Sequence, residues 1–512
     1  MRSIYILLAF IVLTGVSCKK SFINLTPKSS YSDANYFQNT QQLSSAVNAA
    51  YAPLRDVFTT DFLMCEQRSD NTIYQGFLSN RGTAYTDREA LCEFMDAATD
   101  SYTASEWQYC YQVISRANIV IGRLPGTKSV PADTAAIMDG QCKFLRALMY
   151  FKLVRLFGGV PLFVKEVKTA DEAFLPRATV DQVYAQITAD ANDAINELAP
   201  PVKFPQTGAA TKGSATMLLA DVDVYLKKYD SAVTLLNTLP AMGYGLNANY
   251  ADAFTAANKN SKESLFEVQF LGGTATGSTP NPLQFYFLPR SNSTALVTGT
   301  AINNTSTGGW NTPTQDLINS YEPNDKRLDA SIGIVEGTYD ASNYFTYSAV
   351  KSILNYPGPP SGKIAVPYAK KFQHTAVAVT GNSDDFPLYR YSEALLLLAE
   401  ALNEQGQSPL APLNAVRERA GLPDITSANQ DTLRAAILHE RRIELAFEDK
   451  RWHDLVRSGN AISVMNAFGA NLQTQITYLP AGAYVVTADK LLLPIPAAEI
   501  GVNTLLTQNL GY

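Results

Sequence analysis

Apolar residues recur at helical spacing in two separate stretches of this chain and lose that spacing between them. From Asn39, the positions Leu43, Val47, Ala50, Tyr51 and Leu54 fall on one helical face, and Asn39 with Gln42 has the form of a capping box. Pro53 should kink or shorten this helix, because proline has no N–H and clashes with the preceding turn. Residues 60–103 mix Gly, Asn, Asp, Ser and Tyr without a period. They read as a long irregular segment, and such segments are often functional when ordered. Residues 107–124 predict a second helix, with Trp107, Cys110, Tyr111, Ile114, Ala117 and Ile121 on one face, which makes Trp107 a core residue. Residues 141–157 predict a third helix, stopped by Gly158-Gly159 and Pro161. Thr179 and Gln182 open a fourth, and residues 214–226 and 230–239 form a helical hairpin.

The period is lost again over residues 241–385. Only 263–270 (ESLFEVQF) alternates like a strand, and Gly, Ser, Thr, Asn and Pro dominate 272–313. Helices return at 389–402, 413–420 and 431–456, and the tail from 491 to 512 reads as extended. The expected fold is mostly α. Antiparallel helix pairs over about 39–240 and 386–460 flank an irregular lobe, and tetratricopeptide-like stacking fits although no strict repeat is visible.

At 512 residues the chain could hold about three domains of ~150 residues. Charged residues make up only 17%, against a usual ~25%, so uncharged polar groups and 27 tyrosines must cover much of the surface. A net charge of −6 lacks the basic footprint of a general nucleic-acid binder and suits a neutral ligand better than a phosphorylated one.

The N-terminus reads as an export signal over residues 1–17, with Arg2 ahead of an apolar run at 4–13 that is shorter than the ~20 residues a membrane-spanning helix needs. Cys18 follows directly, where a lipoprotein thiol is acylated. Gly15 stands where a leucine is usual, with Leu13 two places earlier. In an exported chain Cys65, Cys92, Cys110 and Cys142 could form disulfides, in any of three pairings, or remain buried thiols.

Catalytic motifs are missing. His439-Glu440 begins HERRI, but Ile443 stands where a zinc site needs its second histidine. Glu440, Glu444 and Glu448 lie at i, i+4 and i+8 beside several arginines and read as a structural ion-pair network. Asp70 has no evident carboxylate partner and reads as a hydrogen-bonding or turn residue. No cofactor motif is present, although loop carbonyls and carboxylates can hold a structural calcium ion without one. The residues suited to a sugar, aromatic rings for its CH faces and amides or charges for its hydroxyls, cluster in the two irregular segments. The candidate ligand contacts are Asp70, Asn71, Tyr74 and Arg81 in the first, and Tyr286 and Trp310 in the second. Trp310 follows Gly308-Gly309 in a polar loop, so it either caps the core or serves as a binding platform.

Residues 144–163 (FLRALMYFKLVRLFGGVPLF) and 440–459 (ERRIELAFEDKRWHDLVRSG) resemble the two strong blocks of the SusD/RagB family of outer-membrane nutrient-binding lipoproteins. Weaker matches at 313–318, 387–402, 414–423, 493–496 and 508–512, with Cys18, extend the resemblance along the chain. It implies one SusD-like domain over 18–512, with helix pairs of tetratricopeptide type as scaffold and an irregular ligand-facing lobe. It also implies an outer-membrane lipoprotein, anchored by its lipid, that is not an enzyme. Such a protein captures oligosaccharide and delivers it to a SusC-like TonB-dependent transporter. A peptide-binding lid of the same transporter type and a lipid-anchored helical-repeat scaffold are the alternatives. Lys19-Lys20 departs from the acidic residues that often follow the cysteine in members facing the cell exterior.

Overall fold

In the computed structural model, residues 36–76, 82–376 and 380–512 are described. Asn39 accepts from the Gln42 N–H at 3.0 Å and caps the helix Thr40–Tyr51, which buries Leu43, Val47 and Ala50. Pro53 divides this element rather than kinking it, and a separate helix runs over Leu54–Thr60. The helix Ser101–Arg123 starts before its apolar stripe does, because Asp100 accepts from the Thr103 N–H at 2.7 Å. Ala132–Phe157 also begins early, over turns rich in Ala and Asp. Thr179 and Gln182 open the fourth helix, Val180–Glu197, as expected, and do so through a reciprocal capping box.

Ala132–Phe157 is the spine of the first helical block. Its second half is buried on nearly every side, and it packs against both Ser101–Arg123 and Val180–Glu197. Lys212–Tyr225 and Tyr229–Leu236 continue the series. Tyr229–Leu236 then meets Tyr391–Glu404, which packs with Leu410–Ala420 and Gln430–Glu444. The two helical stretches read from the sequence therefore join in one mostly α scaffold of packed helix pairs.

Three expectations need correction. Residues 60–103 contain helices at Phe62–Cys65 and Thr83–Cys92. The second was hidden because it buries Arg88 and Glu89 beside Leu91 and Cys92, so its inward face is not apolar. Residues 241–385 hold more sheet than a single strand. Strand β1 (Thr72–Ile73) pairs with β3 (Thr312–Pro313), and β2 (Ser264–Val268) pairs with β7 (Phe386–Arg390). Between them β4 (Ile332–Tyr339) runs antiparallel to both β5 (Phe345–Ser352) and β6 (Ile364–Ala369). Finally, 431–456 is not one helix. Gln430–Glu444 ends at Leu445, and Phe447 (φ 67°) and Asp449 (φ 61°) take left-handed conformations before Arg451–Arg457 begins. Two further helices, Ala461–Gln475 and Ala497–Val502, lie in the stretch beyond.

Glu448 thus lies outside the helix that carries Glu440 and Glu444, yet all three carboxylates enter one buried network. Arg390 pairs with Glu263 at 2.8 Å, Glu444 at 2.9 Å and Glu448 at 2.7 Å. Arg327 pairs with Asp325, Glu440 and Glu444, and Lys371 with Glu448. Arg419 bridges Glu263 and Glu444. Burial opposes the charge on Glu444, but Arg419, Arg390 and Arg327 outweigh it and hold this carboxyl far below the ordinary glutamate range.

Removing one partner of a buried pair leaves the other charge desolvated, so Arg390→Met should lower stability by about 3–5 kcal/mol in chemical denaturation. Because the folded-state pKa of Glu444 is depressed, its contribution is present above the unfolded value of about 4.3 and is lost as pH falls below it. Glu444→Gln should therefore be less stable at pH 7 and lose less on acidification than the wild type. Equal slopes below pH 4.5 would contradict this account.

Candidate ligand-binding site

The two irregular segments meet. β1 and β3 pair antiparallel with Thr72 opposite Pro313 and Ile73 opposite Thr312. Beyond the ladder, the Gln75 N–H donates to the Gly309 carbonyl at 2.8 Å, and the Trp310 N–H to the Tyr286 carbonyl at 2.8 Å. Gly309 sits at φ 70°, and a Cβ there would lie 2.4 Å from Gln75 Oε1, so both conformation and space require glycine. Asn304 braces the same loop, accepting from the Ser291 N–H and donating to the Phe285 carbonyl.

This pairing gathers a cluster of rings around two guanidinium groups. Tyr286 stacks on Trp310 with centroids 4.4 Å apart and planes at 30°, and Phe62 lies behind at 6.4 Å. The Arg88 guanidinium sits 4.1 Å from the Trp310 ring centre and 4.8 Å from that of Tyr85. Arg88 also donates to the hydroxyls of Tyr74, at 3.3 Å, and Tyr102. Arg290 donates to the same Tyr74 hydroxyl at 2.8 Å and to the Gly308 carbonyl at 3.0 Å. Burial raises the Tyr74 pKa, opposed by Arg290 and Arg88, and burial lowers that of Arg290.

The candidate residues fall into distinct places. Trp310 is 5% exposed and belongs to the main core, so it is a buried foundation rather than an open platform. Tyr74 is buried as well, whereas Tyr286 is half-buried above Trp310. Asp70 and Asn71 face inward instead of lying open in a loop. The Asp70 carboxylate accepts twice from Arg451, at 2.8 and 2.9 Å, and pairs with Arg442 at 3.1 Å. Burial opposes its charge, but the arginines prevail and its pKa is lowered. Asn71 donates to Glu66 at 2.9 Å and accepts from Arg442 at 2.8 Å. Arg81 and Cys18 lie outside the described residues. The sequence reading missed Arg88, Tyr102 and Arg290. The signal that could have found Arg88 was the spacing of Tyr85, Arg88, Leu91 and Cys92 on one helical face.

Trp107 is buried, as its stripe suggested, and floors a separate open groove of about 490 Å³ with Tyr111, Phe163, Phe174, Val502 and Leu506. That groove is mostly apolar, with Gln108, Gln112, Lys165 and Asn503 among its lining, whereas the arginine–aromatic cluster sets its hydrogen-bonding groups directly against its rings. Cys65, Cys92, Cys110 and Cys142 are free, buried thiols. Cys65 lies 3.0 Å from Asp61, and Cys92 lies 3.0 Å from the Tyr484 hydroxyl. Among the described residues, no helix is long and apolar enough to cross a membrane.

A family model described as the SusD family matches residues 241–512, more than half of the chain. The chain belongs to the SusD family. A second model, described as starch-binding associating with outer membrane, matches residues 21–223 of this SusD-family chain. A SusD-like protein of Formosa agariphila is 26% identical over 548 residues, covering 100% of this chain and 99% of its own length. The starch-binding protein SusD of Bacteroides thetaiotaomicron is 25% identical over 73% of this chain and 72% of its own. Among solved structures, a laminarin binding SusD-like protein matches with a TM-score of 0.72 and 26% identity, over 93% of this chain and 100% of its own. Surface glycan-binding protein A of Bacteroides thetaiotaomicron, solved with laminarihexaose, shares the fold at a TM-score of 0.71 and 22% identity, over 92% and 99% of the two chains. The fold is the SusD fold.

The inward placement of Asp70 has a measurable consequence. Asp70→Ala should destabilise by about 2–4 kcal/mol, because it removes a nearly buried carboxylate that holds the half-buried Arg451 and Arg442. Asp316→Ala removes a half-exposed partner of Arg442 and should cost about 1 kcal/mol or less. Urea denaturation of both variants checks the order, and similar costs would show that Asp70 is not the anchor.

Proposed function

We propose that residues 18–512, as one SusD-like domain, form a lipid-anchored outer-membrane protein that captures an oligosaccharide and delivers it to a SusC-like TonB-dependent transporter. The observation that carries this reading is the set of half-buried tyrosines, Tyr85, Tyr102 and Tyr286, around the Trp310–Arg88 floor. Flat rings suit the CH faces of a sugar, while tyrosine hydroxyls and the Gln75 amide suit its hydroxyl groups. The names of relatives support the same class of ligand, starch for one and laminarin for another.

In this reading Tyr286 touches the ligand, and Trp310 fixes the plane of Tyr286 from beneath. Tyr74 holds the two guanidinium groups in place. Asp70 and Asn71 fasten the segment that carries Tyr74, and Arg81 is a further contact by its place in the chain between Tyr74 and Tyr85. The protein binds and hands over its ligand without cleaving it. Cys18 carries the lipid. Two acyl chains, at ~0.8 kcal/mol per buried methylene, hold a protein stably on a membrane.

Calorimetry on the full chain against a panel of oligosaccharides tests the ligand. Tyr286→Ala should weaken the best binder at least tenfold while shifting the melting temperature by only a few degrees. Binding of peptides with no saccharide bound at all would replace this reading with the peptide-lid alternative. For the anchor, Cys18→Ala should move the protein from the membrane fraction to the soluble fraction of the cell. A variant that stays with the membrane would end the lipoprotein assignment.

A further inference from the structure

The cluster beneath the tyrosines is richer in hydrogen-bond donors and positive charge than a neutral sugar requires. Arg88 is 2% exposed and has no carboxylate partner among the described residues; it is held by two tyrosine hydroxyls and by aromatic faces. A buried guanidinium without a counter-charge is costly, and ring faces offset only part of that cost. Arg290, itself 1% exposed, lies in the same cluster and repels it. Among the described residues Glu89 is the acid that acts on Arg290, whereas Arg88 pairs with no carboxylate.

The hydrogen-bonding groups show the same excess. The Tyr102 oxygen accepts from Arg88, which leaves its own O–H to donate elsewhere, and among the described residues it donates to nothing. Trp310 Nε1, a donor only, is buried with no hydrogen-bond partner among the described residues. Gln75 Oε1 is the opposing case, an unpartnered acceptor suited to a sugar hydroxyl. A group that brings only acceptor oxygens and a negative charge would satisfy the donors and compensate Arg88 together.

From this we infer that the site prefers oligosaccharides bearing carboxylate or sulfate groups over their neutral counterparts. The inference rests on the oligosaccharide reading above, and it replaces the neutral ligand suggested by the overall composition. The net negative charge of the whole chain is spread over its surface, whereas Arg88 and Arg290 act at short range in a site shielded from water.

A panel containing uronic-acid and sulfated oligosaccharides, each beside its carboxyl-reduced or desulfated form, tests the preference by calorimetry on the full chain. The best binder should be anionic, and removing its charge should weaken binding at least tenfold. The two arms tell a carboxylate from a sulfate. Raising sodium chloride from 50 to 500 mM should leave neutral ligands nearly unchanged and weaken the anionic one only modestly, because buried pairs are little screened. Arg88→Met should collapse the ratio between charged and neutral forms. Tyr102→Phe keeps the ring and should reduce that ratio without loss of fold, which covers the case in which Arg88→Met does not fold. A neutral best binder, or a charged-to-neutral ratio unchanged in both Arg88→Met and Tyr102→Phe, would overturn this inference and leave the glycan reading standing. No saccharide binding anywhere in the panel would overturn both.

Discussion

The buried exchange of charge between Arg390 and its three glutamates sets the frame for the rest of this molecule. Arg390 is the last residue of β7 and leads directly into the helix Tyr391–Glu404. Its partners come from three other places in the chain: Glu263 ahead of β2, Glu444 at the end of a helix, and Glu448 in the turn that follows. Charges taken out of water are tolerated only when their geometry is closely met. The network therefore fixes how the loop lobe sits against the second helical block, more narrowly than apolar packing alone would. The left-handed turn at Phe447 and Asp449 belongs to the same device, since it brings Glu448 back toward Arg390 after the helix has ended.

The same stretch of chain extends its hold to the ring cluster. Arg442 and Arg451 reach from this region to Asp70 and Asn71, and those residues immediately precede the strand that pairs with Thr312–Pro313. Trp310 and Tyr286 follow from that pairing. The buried Trp310 and half-buried Tyr286 are thus tied through a short strand to Arg442 and Arg451, so their positions are set by the scaffold rather than by the loops in which they occur.

The helices with a one-sided apolar stripe were legible in the sequence because burial and hydrophobicity coincide there, as at Trp107, Ile114 and Leu145. The capping residues Asn39 and Thr179 were legible for a local reason, since each cap is closed within three residues. Thr83–Cys92 was not, because it buries Arg88 and Glu89 and so presents no apolar period. The break near residue 445 was also hidden, since Leu445, Ala446 and Phe447 continue an apolar pattern while the backbone turns left-handed. At the site, the sequence singled out two segments that the β1–β3 pairing brings together. It misjudged exposure, however, because a tryptophan in a polar loop can still be drawn into the core by pairing with a segment more than two hundred residues away. Asp70 read as a hydrogen-bonding or turn residue, and its partners could not be named for the same reason: they are arginines remote in the chain.

That remoteness governs how the molecule is made. Asp70 and Arg451 are separated by 381 positions. At a synthesis rate of about 5–20 residues per second, Arg451 emerges roughly 20–75 s after Asp70. Until then the Asp70 carboxylate lacks the guanidinium it closes against, and contacts so distant in sequence are slow to form. The nascent chain therefore passes a long interval with its spine helix complete and Asp70 not yet fastened to the second helical block. An unfinished product truncated before residue 451 would expose aromatic side chains without the arginines that seat them, and would be a natural target for quality-control proteases.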